Sequence, residues 1–250
     1  MTKNDELNIL DTKPNSPLDR INSAGEASEI PPPDPERMLS LLESETPSER
    51  MLAARAFCEL KDPRSIPLLI RLLDDVCPLV RVSTTYALGR NTDSSAVEPL
   101  IDLLAKDFNG YVRKGIVWAL GNSKDNRALQ PLIHALKTDI SAVRLWAASG
   151  LAQIAPLNYE DIIAAIPPLI QGLRRDDTAA VRSNCAWAIG QLCRELPSNV
   201  VYATAIDALI ESLVEDEDFG VQDDARSAIL KVGDPRGLQT IEELELEGII

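Results

Sequence analysis

The sequence is poor in the residue types that most enzymes use for catalysis. It contains one histidine, His134, and four cysteines that do not cluster. It contains no P-loop, no GxGxxG motif and no Cys/His spacing typical of a metal site. Only 4% of its residues are aromatic. These shortages leave no recognisable catalytic residue, and they favour a non-catalytic protein over an enzyme.

Long apolar segments are also missing. No apolar run approaches about 18 residues, so no membrane span is expected. The N-terminus does not combine a basic region with an apolar run, so no secretory signal is expected. Scattered cysteines are typical of a reducing compartment rather than of a disulfide framework. We therefore predict a cytoplasmic protein that does not span a membrane.

Positive charge is scarce, and the deficit is uneven. The net charge of the 250 residues is −14, and residues 201–250 hold 13 acidic and three basic residues. Binding to a nucleic-acid backbone needs a basic surface, so nucleic acid is excluded as a partner. The acidic end is either a solvated face or a docking surface for a basic partner.

What the sequence does contain is a repeat. The segment VRKGIVWALG at 112–121 has copies that start at Val80, Val143 and Val181, and weaker copies at Arg50 and Val221. Five of the copies follow a segment of the Pro-Leu-Ile type, which begins 13 or 14 residues before the arginine (or Gln222). This spacing predicts a helix, a turn and a second helix in each unit. Self-similarity at roughly 30–40 residues indicates a solenoid.

An acidic residue recurs in each predicted turn. We expect it to cap the second helix and to pair with the arginine five or six residues later, as Asp107 would with Arg113. Such pairs would form a ladder from unit to unit, and its members are Asp75, Arg81, Asp107, Arg113, Asp139, Arg144, Asp176 and Arg182. Gly89 and Gly121 are expected to end their second helices.

The Pro-Leu-Ile segment, the turn aspartate and the Val-Arg with its Ala-Leu-Gly ending resemble HEAT-like repeats of the cyanobacterial phycobilisome-lyase (E/F-type bilin lyase-like) family. The resemblance covers residues 35–240. It implies an all-α fold, a right-handed α-solenoid of about six helix pairs, with the second helices lining a concave groove. Residues 1–34 are predicted to be a disordered acidic tail, and residues 241–250 an acidic C-terminal tail.

The variable positions of the second helices predict a binding surface. All three tryptophans occur there, and with Tyr86 they would form an aromatic strip across the groove, with polar residues along its edge. An alternative is that these large side chains fold back between the units. The predicted partner-binding residues are Tyr86, Arg90, Lys114, Trp118, Asn122, Trp146, Gln153, Trp187 and Gln191.

The resemblance leaves two functions open. One is a non-catalytic protein-interaction scaffold, similar to HEAT-repeat proteins that partner an iron–sulfur carrier. A shared iron–sulfur cluster would then be approached by one cysteine, and Cys77 is the candidate ligand. The alternative is a phycobilin lyase subunit, or a bilin chaperone or detachment factor, that holds an open-chain tetrapyrrole and acts on a phycobiliprotein.

Overall fold

The computed structural model describes residues 33–248, and every regular element in that range is helical. The predicted N-terminal tail lies outside the described residues, except for Pro33 and Asp34. The α-helices are α1 (Pro35–Leu41), α2 (Pro47–Ala56), α3 (Ser65–Leu72), α4 (Pro78–Arg90), α5 (Val97–Lys106), α6 (Gly110–Ser123), α7 (Leu129–Thr138), α8 (Ser141–Ile154), α9 (Tyr159–Arg175), α10 (Ala179–Cys193), α11 (Val200–Glu215), α12 (Phe219–Val232) and α13 (Pro235–Leu246).

The first twelve helices form six pairs, and each pair stacks on the next. The second helices of neighbouring pairs contact one another more extensively than the first helices do. The stack therefore curves toward its second helices α2, α4, α6, α8, α10 and α12, which line the concave side. This arrangement confirms the predicted all-α solenoid of six helix pairs.

The local sequence explains each pair. In α5, the buried residues Val97, Leu100 and Leu103 recur three residues apart and form one apolar stripe. Proline at the first position of α2 and α4 occupies a site where a backbone N–H has no partner within the helix. Helix α9 is longer than its counterparts because the insertion before it becomes helical. The Asn158 side chain caps this extension by accepting a hydrogen bond of 2.9 Å from the N–H of Asp161.

The predicted role of Gly89 and Gly121 is wrong. Both glycines lie in the last turns of α4 and α6, but the residues that cap these helices are Asn91 and Lys124, and both glycines are buried. A Cβ atom on Gly121 would lie 2.8 Å from the Cα atom of Gly150 in α8. Glycine is needed here because the two second helices approach to backbone contact, not because a helix ends.

Most of the segment 241–250, predicted as an acidic C-terminal tail, belongs to a final helix. Helix α13 continues to Leu246, and Ile241 is buried. The Asp234 side chain starts this helix by accepting hydrogen bonds from the N–H groups of Arg236 and Gly237. The apolar positions of α13 then pack against α11 and α12. Within residues 33–248, no helix is both long and apolar enough to cross a membrane.

Candidate functional site

Five arginines connect successive helix pairs through the turns. Each arginine at the start of a second helix binds the turn aspartate of the following pair, with N–O distances of 2.6 to 2.9 Å. The pairs are Arg50–Asp75, Arg81–Asp107, Arg113–Asp139, Arg144–Asp176 and Arg182–Asp216. The ladder therefore crosses every boundary between the six helix pairs.

The register of this ladder differs from the prediction. Arg113 binds the carboxylate of Asp139 in the next pair, while the carboxylate of Asp107 accepts hydrogen bonds from Arg81. Within its own unit, Arg113 donates only to the backbone carbonyl of Asp107, at 2.9 Å. The reason is geometric: that carbonyl occupies one Nη group and leaves the other edge of the guanidinium facing the neighbouring turn.

The turn aspartates do not cap the second helices as expected. Residues such as Asn109 and Asp218 occupy the capping positions, and their own side chains accept the first helical N–H groups. The carboxylate of Asp107 instead accepts the N–H of Asn109 at 2.8 Å, one step before the helix. Each ladder aspartate thus fixes its turn and binds an arginine at the same time.

The ladder lowers the pKa of four of its carboxylates. Burial by itself raises the pKa of Asp139, but hydrogen bonds from Arg113 and from the N–H of Ile140 outweigh it, so the pKa lies below the usual value. The same balance lowers the pKa of Asp75, Asp176 and Asp216. These four carboxylates therefore stay charged to lower pH than a free aspartate does.

The ladder changes at its C-terminal end. Gln222 replaces the arginine in the sixth pair and donates to the backbone carbonyl of Asp216 at 2.6 Å. Before that, Arg144 faces Asp177 as well as Asp176, and Arg182 faces Glu217 as well as Asp216. In the fifth turn, Arg175 lies beside the two carboxylates and offsets the second one. The sixth turn, with four acidic residues at 215–218, has an excess of negative charge.

The predicted aromatic strip is not continuous, because Tyr86 and Trp118 are buried, at 5% and 4% exposure. Their ring centroids lie 5.4 Å apart, and the Trp118 ring covers the position where a Cβ on Gly89 would lie. Burial raises the pKa of Tyr86 to about 12. Small residues between α4 and α6 therefore let these large side chains fold back between the units, which was the alternative interpretation of the sequence.

Trp146 and Trp187 are different, because both are only half-buried. They lie on the neighbouring concave helices α8 and α10. Asn184 connects the two helices by donating to the Ser149 hydroxyl and the Leu145 carbonyl, each at 2.7 Å. Ser149 is one turn after Trp146 on α8, and Asn184 is one turn before Trp187 on α10, so the Asn184–Ser149 hydrogen bond lies between the two tryptophans along the helices. The sequence pattern did not predict a role for Asn184. Asn184 nevertheless occupies the same repeat position as Trp146, because each follows its ladder arginine by two residues.

The predicted polar edge separates into two groups. Asn122, Gln153 and Gln191 are half-buried, as is Lys114. The guanidinium of Arg90 lies over the Trp118 ring, 5.9 Å from its centroid, and is exposed on its outer side. Arg90 therefore covers a buried ring and does not border an open aromatic surface.

The reactive side chains are dispersed. Cys185 and Cys193 are buried in α10, and burial raises the pKa of the Cys193 thiol to about 12. Cys77 is half-buried at the start of α4 and donates its backbone N–H to Asp75. His134 is exposed on α7. Within residues 33–248, no three Cys, His, Asp or Glu side chains come together as a metal site.

Comparison with known proteins agrees with this architecture. Among solved structures, an engineered protein is 26% identical, with a TM-score of 0.62 over 80% of this chain and 98% of that one. A designed armadillo repeat protein in complex with the peptide (KR)4 is 24% identical, with a TM-score of 0.60 over 79% and 98%. The CpcE–CpcF complex of phycocyanin lyase from Nostoc sp. PCC7120 is 22% identical, with a TM-score of 0.59 over 87% and 84%.

No curated protein matches the sequence. The family model for HEAT repeats matches residues 35–120, 97–164 and 166–247, which together span nearly all of the helical stack. The repeat pattern, the stacked pairs and this match lead to one conclusion: the chain belongs to the HEAT-repeat family.

Proposed function

We propose that this chain is a non-catalytic protein-interaction scaffold that binds its partner on the concave surface of α8 and α10. The observation that carries the proposal is that two half-buried indoles, Trp146 and Trp187, lie on neighbouring second helices that Asn184 joins by hydrogen bonds. Partly exposed tryptophans on a rigid surface are typical of the residues that dominate binding energy. A repeat solenoid supplies the rigid, extended surface that protein partners use.

The partner that the sequence resemblance favours is an A-type iron–sulfur carrier. The donor set of residues 33–248 does not fit an iron–sulfur cluster, because no three ligand side chains meet there. A carrier that docks here would keep its own cluster ligands. Cys77 lies directly before α4 and is separated from Trp146 and Trp187 by the third helix pair, so it does not belong to the proposed surface.

Calorimetry with a purified A-type iron–sulfur carrier tests this proposal. We expect the double variant Trp146→Ala, Trp187→Ala to bind at least tenfold more weakly than wild type. Val200→Ala, which changes an exposed residue at the start of α11, is the control and should bind as wild type does. Absence of binding by the wild type would reject this partner, and unchanged affinity of the double variant would reject the surface.

The second candidate is a subunit of a phycobilin lyase, and the similarity to the CpcE–CpcF complex favours it. In this case the same two indoles would stack on a flat open-chain tetrapyrrole. Co-expression with bilin-producing enzymes should then yield a coloured protein, and the double tryptophan variant should be colourless. A colourless wild type, tested alone and with candidate second subunits, would reject the lyase function.

A further inference from the structure

A second surface lies on the edge of the stack formed by the turns between the two helices of each pair, which we call the turn edge. Three successive turns expose a large apolar residue directly after the ladder aspartate. These residues are Val76, Phe108 and Ile140, and Phe108 is 99% exposed. Isolated apolar residues are common on surfaces, but a contiguous row of them marks an interaction site.

The three turns that carry the row are adjacent in space. The ion pairs Arg81–Asp107 and Arg113–Asp139 hold the three turns side by side, at N–O distances of 2.7 Å. The Ile140 side chain reaches the start of the preceding second helix, where a Cβ on Gly110 would lie 2.5 Å from its Cδ1 atom. The ladder therefore brings these apolar side chains into one line.

Grooves flank Phe108 on both sides. One, of about 530 Å³, lies between the second and third pairs and is lined by Pro78 and Leu103. The other, of about 730 Å³, lies between the third and fourth pairs, where Leu104, Pro131 and Ile140 line it. A partner residue placed beside Phe108 can thus enter a groove instead of resting on a flat surface.

The charge along the turn edge changes after the apolar row. At the third and fourth turns, each aspartate is matched by one arginine, so the row itself is electrically balanced. At the fifth and sixth turns, the residue after the ladder aspartate is Asp177 and then Glu217, and both side chains are 88% exposed. In the fifth turn, Arg175 accompanies Asp177, whereas the four residues at 215–218 in the sixth turn are all acidic. The turn edge is therefore apolar in its middle part, mixed in charge at the fifth turn and acidic at the sixth.

We propose that the turn edge binds an extended segment of a protein partner in which apolar residues precede or follow Lys or Arg. The apolar residues lie over Phe108 and Ile140, and the cations lie over Asp177 and Glu217. Neighbouring helices pack about 8–10 Å apart, and an extended chain in the polyproline II conformation rises about 3.1 Å per residue and repeats its side-chain direction every three residues. Matching side chains of the partner are therefore spaced about three residues apart. A second copy of this chain is a poorer occupant, because its net charge is −14.

The probe is a fluorescein-labelled peptide of about ten residues with Phe, Leu, Arg and Arg at this three-residue spacing and serine between them. It is compared, by fluorescence anisotropy, with its reversed sequence and with a peptide that carries Glu in place of Arg. We expect one of the two Arg peptides to bind at least tenfold more tightly than the Glu peptide, with an affinity that falls as salt rises.

Variants then locate the peptide. Phe108→Ser with Ile140→Ser should weaken binding at least tenfold, and Asp177→Asn with Glu217→Gln should remove the preference for Arg over Glu. The exposed Val200→Ser is the matched control and should bind as wild type does. The variant Trp146→Ala, Trp187→Ala should also bind the peptide normally, which keeps this surface distinct from the concave one.

Three results would overturn the proposal. The first is equal binding, or no binding, of the Arg and Glu peptides. The second is an unchanged affinity of the Phe108→Ser, Ile140→Ser variant. The third is a wild-type dimer in light scattering that this variant converts to a monomer, because the apolar row would then be covered by a second copy of the chain.

Discussion

Arg113 binds Asp139 across the boundary between the third and fourth helix pairs through two parallel hydrogen bonds, each 2.7 Å long. Both side chains are largely shielded from solvent, with 19% and 11% exposure. A planar guanidinium that meets a carboxylate in this way is strongly oriented. An arginine–aspartate ion pair recurs at each of the five boundaries between helix pairs.

The register of the ladder predicts which residues are energetically coupled. Arg113→Ala should lower the free energy of unfolding by about 2–3 kcal/mol, because it leaves the shielded Asp139 carboxylate without its partner. A double-mutant cycle by urea denaturation should show coupling of about 1 kcal/mol or more between Arg113 and Asp139 and almost none between Arg113 and Asp107. Arg127→Ala, which removes an exposed ion pair, should cost less than about 1 kcal/mol. Equal coupling of Arg113 to both aspartates would contradict the observed register.

Acid should weaken the stack through the same carboxylates. The pKa of Asp139 in the folded protein lies below its unfolded value of about 3.9, so its stabilising contribution is complete above that value and is lost as pH falls through the folded pKa. The pKa values of Asp75, Asp176 and Asp216 are also lowered, so their contributions to stability are lost in the same direction of pH. Urea denaturation from about pH 6 to about pH 3 should show falling stability, with a shallower decline for Asp139→Asn. The exposed Asp102→Asn serves as control, and an identical slope for Asp139→Asn and wild type would refute the assignment.

An alanine at Gly121 should lose more stability through its close contact with α8 than it gains through its higher helix propensity. Alanine favours a helix interior over glycine by about 1 kcal/mol, but a Cβ on Gly121 would lie 2.8 Å from the Gly150 backbone. We expect Gly121→Ala to destabilise the protein by about 1–3 kcal/mol. Gly110→Ala meets only the terminal methyl group of Ile140, which can rotate, and should be close to neutral. A thermal melt that shows Gly121→Ala at or above wild-type stability would disprove the close approach.

Trp118 should contribute to stability and not to binding. Its ring fills the space between α4 and α6, so Trp118→Ala should cost about 3–5 kcal/mol of unfolding free energy. Trp146→Ala, at a half-buried position, should cost much less. Chemical denaturation measures both, and acrylamide should quench the fluorescence of a variant that keeps only Trp146 more than that of one that keeps only Trp118. The reverse order in either experiment would contradict the burial of Trp118.

The repeat pattern predicted the helix pairs because their apolar spacing and turn residues are local features of the sequence. The fate of Trp118 was not predictable in this way, since it depends on Gly89 in the preceding pair, which leaves room for the ring. The partner of Arg113 was likewise misassigned. The sequence allows the aspartate of its own turn and the aspartate of the next turn equally well as partners, and the choice is made only when the Asp107 carbonyl binds one side of the guanidinium. The exposed row at Val76, Phe108 and Ile140 could have been found, because each residue directly follows a ladder aspartate.

The direction of the ladder has a consequence for biosynthesis. Each ladder arginine precedes its carboxylate by 25 to 34 residues. On the ribosome, an arginine therefore emerges before the aspartate that will neutralise it. The ion pair between its helix pair and the following one cannot form until the next turn has been translated. Boundaries close one after another from the N-terminus, so a nascent chain stopped between units always presents one unmatched guanidinium at its growing end.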